Sequence, residues 1–174
     1  MGKNCIRKAK PMSRKGIRNI ANIVRKWEKC ENTLYFDILH FMEITLPKIV
    51  PEYTFIVASM EEMGGAHGLT YPDKAIVKIR EDVYDRAVDG SGRDRLTIAH
   101  ELFHLLMHED SNIIFARGGG DNNIKKYEDP EWQADAFGGE LLIPHDLVKG
   151  MSAVDISLRC GVSLAAANYQ MKVG

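Results

Sequence analysis

Thr-Ile-Ala-His-Glu-Leu-Phe-His-Leu-Leu-Met-His, residues 97–108, is the stretch on which the reading of this chain turns. Together with Leu96 and Ala99, the residues Leu102, Phe103, Leu106 and Met107 cover much of a helical circumference. The spacing therefore predicts a largely buried helix over 93–108. Four residues along such a helix advance about 6 Å and return to nearly the same face, so His100 and His104 can turn ring nitrogens toward one point. Glu101 stands about 100° round the axis from His100, beside that point rather than on it. Two imidazoles and a carboxylate on a buried helix are costly unless something binds them. A metal ion with its water is the simplest relief.

The spacing is His-Glu-x-x-His, in which two histidines hold zinc and the glutamate serves as general base of a metallopeptidase. Catalytic zinc takes three protein ligands and keeps a fourth position for water, so a third ligand has to come from another element. His108 continues the four-residue series but lies two turns, about 12 Å, from His100. That is too far for one ion, and His108 reads instead as a charge or hydrogen bond near the helix C-terminus. Asp129-Pro130 announces a second helix, with Asp as N-cap and Pro at the first position, running to about Leu142 before Pro144 stops it. Glu131 opens this helix and is the best candidate for the third ligand. Asp135, four residues on and on the same face, is placed to accept the remaining ring N–H of a ligating histidine.

Around this pair the expected fold is α+β: a mostly helical single domain with a small sheet packed on the metal-site helix, zincin-like. Residues 1–12 have no periodicity and read as a basic N-terminal arm, leaving 13–174 as the domain. Ser13 caps a first helix that turns Ile17, Ile20, Ala21, Val24 and Trp27 inward and Arg14, Lys15, Arg18, Arg25 and Lys26 outward. A second helix over 34–46 is closed by Pro47 and Pro51, and its His40 carries no assigned role. Residues 53–58 and 75–80 are strands, separated by turn-forming Gly64-Gly65 and Tyr71-Pro72-Asp73. In zinc hydrolases an edge strand near the metal can pair with an extended substrate, and 75–80 is a candidate for it. A short helix follows at 81–87, and Ser91 with Asp94 caps the metal-site helix. Residues 113–116 form another strand and the glycine-rich 117–123 a connection. Residues 152–174 are a C-terminal helical pair, with Ile156, Leu158, Val162, Leu164 and Ala167 facing the core.

Composition bounds the function. The 174 residues hold no apolar run long enough to span a bilayer and no basic-then-apolar leader, so the expected compartment is the cytoplasm, with no membrane partner. Cys5, Cys30 and Cys160 are odd in number and widely spaced, which suits reduced thiols. The first thirty residues carry ten Lys and Arg against one Glu, while the remainder carries thirteen against twenty-three acids. Such an arm can bind nucleic acid or an acidic protein, or can serve as a solvated helix face.

Three segments in order, Arg95-Leu-Thr-Ile-Ala-His-Glu-Leu-Phe-His104, Glu131-Trp-Gln-Ala-Asp-Ala-Phe137 and Glu140-Leu-Leu-Ile-Pro144, resemble the ImmA/IrrE family of metallo-endopeptidases. The resemblance is strongest over residues 74–144. It implies that His100, His104 and Glu131 are metal ligands, that the ion is Zn2+ (with Mn2+ or another divalent ion as substitute), and that Glu101 is the catalytic base. It also implies a substrate class: a protein, most often a helix-turn-helix repressor of a mobile element or stress response. Two departures stand out, Phe103 where the family often has glycine and Gly138 where it often has alanine. Tyr71, His67, Arg95 and Tyr127 are candidate donors to the oxyanion. The competing reading is a DNA-binding or toxin–antitoxin and phage regulatory protein with a structural metal, because 152–174 also scans as a helix-turn-helix. Lys172 is the one base of its second helix, a poor grip on phosphates.

Overall fold

The computed structural model describes residues 6–108, 113–116 and 124–174, so expectations for residues 1–5 and 117–123 lie outside it. In chain order come β1 (Ile6–Ala9), α1 (Arg14–Trp27), α2 (Ile38–His40), a π-helical turn at Phe41–Thr45, α3 (Leu46–Ile49), β2 (Thr54–Ala58), α4 (Met60–Met63), β3 (Gly68–Tyr71), β4 (Ile76–Arg80), α5 (Glu81–Val88), α6 (Gly92–Met107), β5 (Ile113–Ala116), α7 (Pro130–Leu142), α8 (Ala153–Cys160) and α9 (Leu164–Val173). The architecture is α+β and mostly helical. β2, β4 and β3, in that order, form one sheet, with β2 parallel and β3 antiparallel to the central β4.

Capping side chains set the helix starts, at Ser13, Ser91 and Asp129 as the sequence predicts. Ser13, Ser91, Asp129, Ser152 and Ser163 each accept a backbone N–H from the first turn of the following helix. Elsewhere the structure differs. Ile6–Ala9 of the expected arm is a strand, paired antiparallel with β5, because extended backbone finds its hydrogen-bond partners there. The helical run begins at Ile38, capped by Asp37, and passes through Pro47. The π-helical turn absorbs the proline: the N–H of Leu46 reaches back to the carbonyl of Phe41, so the ladder is already widened where Pro47 lacks a donor. Arg25 is buried rather than outward, because it donates to the carbonyl oxygens of Leu141, Cys30 and Thr33 and so ties α1 to the end of α7. Trp27, expected inside, is 41% exposed.

One apolar cluster runs from Ile17 of α1 through Val77 and Ile79 of β4, Ile98 and Leu102 of α6 and Phe137 of α7 to Ile156 of α8 and Ala167 of α9. Leu158 (76% exposed) and Leu164 (48%) do not join it, contrary to expectation; Ile156, Cys160 and Val162 take the inward side. Gly92 lets α6 start against the α8–α9 turn, since a Cβ there would lie 2.6 Å from Val162 Cα. Glu140 accepts from Arg14, Arg18 and Gln170, joining α1, α7 and α9.

The α6–α7 contact is close because Phe103 packs on Phe137 at 4.9 Å between ring centres and α7 carries paired glycines. A methyl at Gly138 would meet Leu96 Cδ2 at 3.4 Å and Ala99 Cβ at 3.7 Å, ordinary contacts. Gly138→Ala should therefore stabilise the fold by about 0.5–1 kcal/mol through the chain entropy of the unfolded state. A methyl at Gly139 would lie 2.7 Å from Gln170 Oε1, which is already bonded to Arg14. Gly139→Ala should be destabilising, and urea midpoints of the two variants should move in opposite directions.

Candidate metal centre

α6 and α7 cross so that His100 and His104 face Glu131. His104 Nε2 lies 2.9 Å from His100 Nε2. Glu131 Oε2 is 3.1 Å from His100 Nε2, and its Oε1 is 3.4 Å from His104 Nε2. All three ligating atoms fall within 4.8 Å of one another. Nitrogen and oxygen ligands about 2.0–2.1 Å from a tetrahedral zinc are separated by about 3.3 Å. The residues therefore fit one ion in size and in donor type, two imidazoles and a carboxylate. Asp135 also lies where the sequence puts it: its Oδ1 is 2.7 Å from His100 Nδ1 and accepts the proton there, which turns Nε2 toward Glu131.

Electrostatics favour positive charge at this convergence. Burial works against charging His100, but hydrogen bonds to Asp135 and Glu131 outweigh it and hold the imidazole pKa up at about 10. Hydrogen bonds from His100 and His104 hold the Glu131 carboxyl well below the usual range. The two carboxylates sit at the solvent-facing rim, while the histidines lie deeper.

The ligating atoms open on a cleft of about 550 Å³. One wall is α6 with Glu101; the other is residues 68–73, the strand β3 and its following turn. Glu101 is 8% exposed, and its Oε2 accepts from the Thr70 hydroxyl at 2.7 Å. Gly68 packs against the same side chain so closely that a Cβ would lie 2.5 Å from Glu101 Cγ. Neither Gly68 nor Thr70 stands out in the sequence as a site residue. Thr70 and Tyr71, β-branched and aromatic just before Pro72, are the available sign of a strand there. The edge strand beside the site is accordingly β3. Residues 75–80, a candidate for that role in the sequence, are instead central in the sheet and paired on both sides, so their backbone has no free edge to offer.

Of the four candidate oxyanion donors, Tyr71 lines this cleft and His67 lines an adjoining recess shared with His100, Glu101 and Asp135. Arg95 does not reach it. That guanidinium is buried and donates to the carbonyls of Phe36, Cys160 and Gly161, capping α8. Tyr127 lies outside both cavities as well. Phe103 points into the core and leaves the cleft wall to other residues. His108 does not contact Glu131. It lies against His104, Nδ1 to Nδ1 at 2.8 Å, and against Gln133.

Among the described residues no helix is long and apolar enough to cross a membrane. Against curated proteins the chain finds no match. The family model for the IrrE N-terminal-like domain of peptidases matches residues 60–172, from α4 into α9, and the matched stretch contains both helices of the centre and both walls of the cleft. More than half of the chain is covered, and the chain belongs to this peptidase family.

Proposed function

We propose that the protein is a zinc-dependent metallo-endopeptidase in which His100, His104 and Glu131 hold the ion and Glu101 is the general base. The observation that carries this reading is the meeting of those three side chains, from two helices 31 residues apart at His100 and Glu131, in a cleft that Glu101 and an edge strand also line. Bound zinc supplies a Lewis acid that makes water acidic and polarises a carbonyl. The Glu101 carboxylate takes the proton of the attacking water and delivers it to the leaving amine. Thr70 holds one oxygen of that carboxylate, which fixes its rotamer and leaves Oε1 for the proton. Asp135 holds His100 with Nε2 toward the ion.

β3 supports an extended substrate. The carbonyl of His67 accepts from Arg80 N, so in the alternation of an antiparallel ladder Gly68 and Thr70 turn their backbone groups away from β4. A peptide added along that edge would present its carbonyl carbons beside Glu101. Tyr71 and His67 are then the side chains available to the tetrahedral oxygen.

The proposed substrate is a helix-turn-helix repressor of a mobile element or stress response, the class that the family resemblance implies. Incubating the zinc-loaded protein with the repressor encoded nearest its gene should yield two discrete fragments. Chelator should stop the reaction and added zinc restore it. A repressor left intact beside a zinc-loaded protein that cleaves an unrelated denatured protein would remove the substrate assignment and leave the peptidase.

A further inference from the structure

We propose that Gln133 and His108 are positioning residues that lock His104 into the tautomer with Nδ1 protonated and Nε2 free for the metal. The inference rests on the metal-centre reading above and adds to it a hydrogen-bond chain whose direction is fixed from its far end.

Gln133 is 1% exposed, and both of its amide hydrogens are committed: Nε2 donates to the backbone carbonyls of Lys10 and Tyr127, each at 2.8 Å. A carbonyl oxygen cannot donate, so these two bonds settle which end of the amide is nitrogen. Gln133 Oε1 is left facing His108 Nε2 at 2.9 Å and can only accept, which makes that nitrogen an N–H. His108 is 3% exposed, and its other nitrogen, Nδ1, lies 2.8 Å from His104 Nδ1. Two ring nitrogens at that distance share one proton. If His108 owned it, His104 would have to carry its own proton on Nε2, the atom aimed at His100 and Glu131, and could not ligate. With the proton on His104 Nδ1, Gln133 and both nitrogens of His108 are satisfied and His104 Nε2 keeps its lone pair.

The arrangement does for His104 what Asp135 does for His100, with a neutral acceptor in place of a carboxylate. It also explains a histidine that continues the four-residue series without reaching the ion. The anchor at Lys10 lies outside residues 60–172, so a segment before the family domain holds the far end of the chain.

The test is a two-bond 1H–15N correlation spectrum of the 15N-labelled, full-length protein with and without zinc, joined to chelator-competition affinities. In the zinc-loaded protein His104 should show a protonated Nδ1 and a metal-shifted Nε2, and His108 a protonated Nε2 with an unprotonated Nδ1. His108→Phe, which keeps the ring against Phe103, should weaken zinc binding about 10–100-fold while far-ultraviolet circular dichroism stays unchanged. His108→Phe with wild-type affinity, or a zinc-loaded wild type in which His108 carries its proton on Nδ1, overturns the relay and leaves the metal centre intact. A wild-type protein whose His100 and His104 signals do not respond to zinc overturns both readings together.

Discussion

Glu101→Gln should cut kcat by about 10²–10⁴ while the protein keeps one zinc per chain and a nearly unchanged KM. Glutamine has the volume of glutamate and retains an oxygen for the Thr70 hydroxyl, so the wall between α6 and β3 stays packed. What it lacks is a site for the proton. The separation of kcat from metal content is the decisive part, because loss of a ligand would move both. Gly68→Ala serves as the geometric companion: a methyl 2.5 Å from Glu101 Cγ has to displace that side chain. Misplacement by about 1 Å can cost about 10²-fold, with zinc again retained. Metal analysis and peptide-cleavage kinetics on the two variants check both statements. A Glu101→Gln enzyme turning over at the wild-type rate would falsify the role of the base.

The candidate ligand set is legible in the sequence because its parts are local. Helical spacing alone aligns His100 with His104, and the Asp129-Pro130 start fixes where Glu131 sits on its helix. The step between them, that α6 and α7 cross at the right height, is not local. It depends on the Phe103–Phe137 contact, which joins residues 34 apart in the chain. Sequence periodicity shows both as apolar positions and says nothing of which helix they meet.

The other wall is harder to read for a different reason. β3 is four residues long and begins with glycine, so neither alternation nor β-branched content identifies it firmly. Its purpose emerges only when Gly68 and Thr70 are seen against Glu101, 31 residues away from Thr70. The same holds for Gln133 and for the buried arginines. Arg25 reads as a surface charge on an amphipathic helix and Arg95 as a candidate oxyanion donor, yet both end on backbone carbonyls of other segments, and such partners leave no mark on a helical pattern. Long-range polar contacts are thus the part that spacing cannot supply.

Glu131→Ala should weaken zinc binding about 10²–10³-fold and leave the fold in place. The carboxylate is two-thirds exposed at the first turn of α7, so its removal empties no core volume. Its contribution lies in the ion. Zinc held by four ligands in a small domain is worth about 10–16 kcal/mol, so one ligand accounts for about 2.5–4 kcal/mol, which is about 10²–10³-fold in affinity. Asp135→Asn should cost less, about 10–100-fold, because Asp135 touches His100 and not the ion. The order of the two losses separates a ligand from an orienting group on the same helix face. Competition titration against a chelator of known affinity reads both, and circular dichroism confirms that each variant is folded. Equal affinity losses for the two variants would make Glu131 another rim carboxylate and leave the two histidines without a third partner.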